Sequence, residues 1–139
     1  MCLVTEQKRV KILKEDLIVY KVVYPSVNDL DHVKAIHMGF RYTIGKLYEQ
    51  KLRIDNIPDS YADAVVGDHY KFWGDFHNIA SKMTNVHNGF HFYCSINRAQ
   101  KSLLYRTILV KCTVPKGSRV YFDATGLGAA NQIIINEVK

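Results

Sequence analysis

VHNGFHFYCSINRAQKSLLYRTILVKCTVPKGSRVYFD, residues 86–123, carries the best-ordered local signals in the chain. Its first run, Gly89–Cys94, is aromatic and β-prone. Ser95 offers a side-chain oxygen to the free N–H groups of a helix, which residues through about Leu104 can form. Thr107–Val114 is rich in β-branched side chains that suit a pleated strand. Pro115-Lys116-Gly117-Ser118 then turns the chain, since proline presets φ and glycine reaches positive φ without a steric cost. The order is strand, short helix, strand, tight turn, strand.

Upstream, Asp16–Tyr24 (DLIVYKVVY) reads as a strand stopped by Pro25-Ser26. Val27–His37 fits either a loose helix, through Val27, Leu30, Val33, Ala35 and Ile36, or a loop. Met38–Tyr48 alternates Phe40, Tyr42 and Ile44 against Arg41, Thr43 and Gly45, which predicts a strand with one aromatic face. Glu49–Ser60 is a polar connector, and Tyr61–Met83 is helix-compatible but divided by Gly67 and Gly74. Downstream, Thr125–Ala130 reads as a flexible turn and Asn131–Val138 (NQIIINEV) as a terminal strand. Ile133-Ile134-Ile135 is too apolar to leave in water, so that strand is expected inside the sheet.

The resulting expectation is an α+β domain: a mostly antiparallel sheet of five or six strands with one or two short helices. Residues 1–15, carrying Lys8, Arg9, Lys11 and Lys14, form a basic N-terminal arm or edge segment, and residues 16–139 a single domain.

With 139 residues, 47% of them hydrophobic, the chain can build a core without disulfides or metal. Its three cysteines form no CxxC pair, which suits a reducing compartment. No signal peptide and no apolar run of membrane-spanning length is read, so a cytoplasmic location without a membrane partner is expected. A net charge of +6 favours anionic partners, nucleotides or nucleic acid among them. His87 and His91 lie four apart, but neither an HExxH glutamate nor a third ligand accompanies them, so no metal is expected. Gly126-Leu127-Gly128 precedes a strand, whereas phosphate cradling needs a helix N-terminus.

Strand parity nominates a site. Phe90 and Phe92 oppose His91 and Tyr93, and Val110, Cys112 and Val114 oppose Lys111 and Thr113. Ile133 and Ile135 likewise oppose Gln132 and Asn136, while Lys21 falls with Leu17, Val19 and Val23. If the apolar faces make one core, Lys21, His91, Tyr93, Lys111 and Gln132 converge on the other side and bind an anionic, ring-bearing ligand. Arg41 and Tyr42, followed by Lys46 and Tyr48, interleave cations with rings in the manner of nucleotide binding. The function expected is non-catalytic binding of a nucleotide or nucleotide-derived signal, with no cofactor. A protein- or nucleic-acid-interaction domain stands beside it as an alternative.

GFHFYCSINRAQ, ILVKCTVPKGSRVYF, DLIVYKVV and NQIIINE together resemble a group of short phage and gut-bacterial proteins. That group is marked by a Gly-Phe-His-Ser-Phe run and a Pro-Lys-Gly-Ser turn. The resemblance implies a phage protein; with the nucleotide binding expected above, such a protein would sequester its ligand. More remotely, the order resembles a minimal ADP-ribosyltransferase fold. That likeness implies an NAD-dependent enzyme in which Lys21 holds phosphate and Glu137 is the catalytic acid. Lys21 stands where that pattern has arginine, Phe92 replaces its hydroxyl residue, and no Glu-x-Glu is present.

Overall fold

The computed structural model describes residues 3–7, 9–26, 30–36, 40–56 and 84–139. The expected helical pieces in Tyr61–Met83 lie outside these residues, as do Cys2, Lys8, Val27–Asp29 and His37. The strands are β1 Leu3–Thr5, β2 Lys11–Ile12, β3 Leu17–Pro25, β4 His32–Ala35, β5 Arg41–Thr43, β6 Leu47–Glu49 and β7 Ile54–Asn56. After them come β8 Thr84–Val86, β9 Phe90–Tyr93, helix α1 Ile96–Gln100, β10 Ile108–Val114, β11 Arg119–Phe122, β12 Leu127–Ala130 and β13 Gln132–Val138.

Ten of these strands form one antiparallel sheet in the order β2-β11-β12-β9-β3-β10-β13-β6, with β4 pairing β3 and β5. A second sheet of three strands runs β1-β8-β7. This corrects the expected α+β domain of five or six strands: the main sheet has ten, and the described residues hold a single short helix. Among the described residues the fold is essentially all-β. The missed strands are two to four residues long, too short to show a period, and β12 (LGAA) lacks branched or aromatic side chains. The N-terminal segment is an edge rather than a free arm, for β1 pairs β8 and β2 pairs β11.

The central stretch behaves locally as its residues dictate. Ser95 caps α1, its Oγ accepting from the Arg98 N–H at 3.4 Å. Gly117 has φ +87° in a turn closed by the Ser118 N–H donating to the Pro115 carbonyl at 3.1 Å. Asp123 shapes the next turn, its Oδ1 accepting from the Thr125 and Leu127 N–H groups at 2.8 and 3.0 Å.

One buried cluster joins Phe90 and Phe92 of β9, Val120 of β11 and Ala130 of β12 to Cys112 of β10 and Ile133 and Ile135 of β13. In a flat sheet β11 and β13 would stand about 24 Å apart, at about 4.8 Å per strand, beyond side-chain contact. The sheet therefore curls around its own core. β12 and β13 run on through Asn131, whose Oδ1 accepts from the Arg119 N–H at 2.8 Å while its carbonyl accepts from the Gln50 N–H at 2.9 Å. Ser118 Oγ and Gln132 Oε1 meet at 3.2 Å where the curl closes. As expected, the last strand lies inside the sheet, between β10 and β6.

Two coverings occupy parts of the outer face. Leu3 and Val86 of the small sheet pack on Tyr121 and Ala129, and Ala99 of α1 packs on Val22 and Leu109. No helix among the described residues is long and apolar enough to cross a membrane.

Candidate functional site

The structure does not bring the parity-selected residues into one cleft. Lys111, Tyr93, His91 and Gln132 do face outward, but Lys21 follows Val19 and Val23 into the core. There its Nζ donates to the His91 carbonyl and lies 5.8 Å from the centre of the Tyr42 ring. The β9–β3 ladder holds only the Tyr20–Tyr93 pair, so that carbonyl sits where the two strands part. Lys21 supplies the donor that the ladder stops supplying, which accounts for a cation among apolar side chains. Burial lowers its pKa, with the nearby Cys112 pulling the other way. Burial likewise pushes the Cys112 thiol up to about 12, so this sulfur stays protonated and unreactive. Tyr42 is a buried core residue packed edge-on against Phe40 and Tyr48.

His91 lies half-buried, with its Nε2 enclosed and lacking a hydrogen-bond partner. Burial first, then the Lys21 ammonium, holds its pKa down at about 4; backbone hydrogen bonds at Gly89 and Val86 pull upward without reversing the shift. This imidazole is therefore neutral near pH 6, where an unperturbed histidine is largely charged. The sign for stability follows. Between pH 6.5 and about 4 the unfolded chain binds a proton that the folded chain refuses, so stability falls as the pH is lowered through that window. Allowing for partial solvent access, the loss should be about 1–2 kcal/mol. Urea midpoints measured from pH 7 to pH 4 check this: His91→Leu should flatten the decline, and an equal slope in both proteins would refute the assignment.

Tyr93 and Tyr20 pack beside α1. Lys111 pairs with Glu137 at 3.9 Å, and Lys139 reaches the same carboxylate at 3.6 Å. Glu137 is thus an exposed strand residue between two lysines, while Lys21, its expected catalytic companion, faces the opposite side of the sheet. Gln132 donates to Glu49 Oε1 at 2.8 Å. It borders a shallow, open depression of about 310 Å³ that Glu49, Gln50, Lys51 and Asn131 also line. No cluster of three or more His, Cys, Asp or Glu is placed to hold a metal among the described residues.

Lys46 Nζ does lie 5.3 Å from the centre of the Tyr48 ring; a larger juxtaposition joins one ring to two cations, and only Arg41 of it was expected. Tyr24 pairs with Lys34, and Lys34 with Arg41, across β3, β4 and β5. Their chain neighbours Val23, Val33 and Tyr42 are buried, so alternation turns all three outward, where they are exposed. Directly opposed residues on one face stand about 5 Å apart, so this is a continuous row of one ring and two like charges. His32 and Thr43, also opposed, lie two residues along on the same face. Lys34 escaped notice because Val27–His37 reads equally as helix or loop, and Tyr24, on a strand that was expected, had no partner in view without it. Only the pairing of β4 between β3 and β5 assembles the row.

A curled antiparallel β-domain with a solvent-facing row of a tyrosine and two cations is the class of protein that fold and site define. No protein-family model matches the chain, and no curated protein or solved structure matches it either.

Proposed function

We propose that this domain binds a nucleotide or nucleotide-derived anion on the Tyr24–Lys34–Arg41 row and releases it unchanged. The row itself carries the reading. A base can stack on the exposed Tyr24 ring, while the Arg41 fork and the Lys34 ammonium meet phosphate. An open surface suits modest affinity and holding rather than chemistry, and a holder present in excess sequesters its ligand. The enzyme alternative has less support, because Lys21 and Glu137 lie on opposite faces of the sheet.

Titration calorimetry with a panel of mono- and dinucleotides, NAD included, tests the reading. Lys34→Ala with Arg41→Ala should weaken binding about a hundredfold or more, since charge-assisted phosphate contacts contribute about 1.5–3 kcal/mol each. Lys111→Ala, outside the row, should leave affinity unchanged, and the recovered nucleotide should be intact. Absence of binding by every nucleotide, or equal binding by the double variant, would overturn the site.

A further inference from the structure

The turn between α1 and β10 presents an apolar tip that the nucleotide row does not use. Leu103, Leu104 and Tyr105 are 42%, 58% and 84% exposed, the longest unbroken run of exposed large apolar side chains among the described residues. The tip is held rather than loose. Thr107 Oγ1 accepts from the Leu104 N–H at 2.7 Å and donates to the Leu104 carbonyl at 2.6 Å. Arg106 has φ +64°, the single positive φ outside glycine among the described residues. A left-handed arginine is unfavourable, and such strain persists where a displayed conformation is used.

Along the chain the tip is flanked by one sign of charge. Arg98, Lys101 and Arg106 are exposed around it, with the Arg106 guanidinium 5.1 Å from the centre of the Tyr105 ring. From Ser95 to Phe122 the chain holds six cations and no aspartate or glutamate. Three apolar residues on a convex turn fall far short of the roughly 20–30 residues that each side of a stable protein interface contributes. They match what an interfacial anchor needs: leucines that enter the acyl boundary, a tyrosine at headgroup depth, and cations over anionic lipid.

We infer that the Leu103–Arg106 turn docks this protein reversibly on the surface of an anionic bilayer. Surface docking requires no membrane span, so the lack of a spanning run in the sequence does not oppose it.

Co-sedimentation with vesicles of phosphatidylcholine, with and without phosphatidylserine, decides the matter. Wild type should partition to the anionic vesicles, and added salt should weaken it. Leu104→Ser with Tyr105→Ser keeps every charge, yet should lower the partition constant about tenfold. Arg98→Gln with Lys101→Gln and Arg106→Gln should lower it comparably and remove much of the salt dependence. A wild type that ignores anionic vesicles overturns the inference and points the tip to an acidic protein instead. Serine variants that partition like wild type also overturn it, since attraction of the +6 chain would then explain all binding. Thermal melts of each variant confirm the fold. Nucleotide titration on the same samples separates failure here from failure of the Tyr24–Lys34–Arg41 site.

Discussion

Removal of residues 131–139 is expected to abolish cooperative unfolding. The deletion takes out β13, which lies between β10 and β6 and joins the two ends of the curl through Asn131. It also removes Ile133 and Ile135, both fully buried in the main core. Truncating either of these to alanine should alone cost about 2–5 kcal/mol, lost transfer energy plus cavity. Two such losses rival the whole stability of about 5–15 kcal/mol that a domain possesses. The alternation provides an internal control. Ile134 faces outward and is only partly covered, so Ile134→Ala should cost well under half as much as either neighbour. Urea denaturation followed by circular dichroism is the measurement. A truncated chain that still unfolds in one sharp transition, or an Ile134 variant as damaged as Ile133→Ala, would refute the placement of this strand.

Gly89→Ala should be strongly destabilising, at about 2–5 kcal/mol. Two costs combine there. The residue has φ +103°, which a side chain tolerates poorly, at about 1–3 kcal/mol. A Cβ would also stand 2.9 Å from the Ala130 carbonyl oxygen and collide with the Leu52 side chain. Leucine can shift, but the carbonyl belongs to β12 in the ladder that pairs Ala130 with Phe90. Overpacking against such a backbone adds about 1–3 kcal/mol. Gly117 is the fitting comparison: its φ is +87°, but a Cβ added there would meet nothing within 4 Å. Gly117→Ala should therefore show the conformational cost alone, about 1 kcal/mol. Denaturation midpoints for the two variants check this, and equal values would mean that the β9–β12 approach is looser than described.

Some elements were legible in the chain because their cause is local. The Ser95 cap, the Pro115–Ser118 turn and the strands β3, β10 and β13 follow from hydrogen-bonding reach, positive φ and side-chain branching within a few residues. Face assignment was legible too: alternation placed Phe90 and Phe92, Val110, Cys112 and Val114, and Ile133 and Ile135 inward. For Lys21 the parity was right and the inference from its charge was wrong. Its position beside Val19 and Val23 outweighed the cost of dehydrating the ammonium, because the parting of β9 from β3 left a carbonyl for it to satisfy.

What the sequence determined by itself is therefore the set of strong strands, their turns, and which residues share a face. Only the tertiary structure decided how many strands there are, how they are ordered, and which outward residues become neighbours. β2, β4 and β12 have too few residues for a period to show, and they exist as strands because long-range partners complete their hydrogen bonds. The Tyr24–Lys34–Arg41 row depends on that pairing, and the exposure of Leu103, Leu104 and Tyr105 on α1 ending before them. Local chemistry fixes what each segment prefers, whereas the partner across a ladder is a contact between distant residues, and nothing within either segment encodes it.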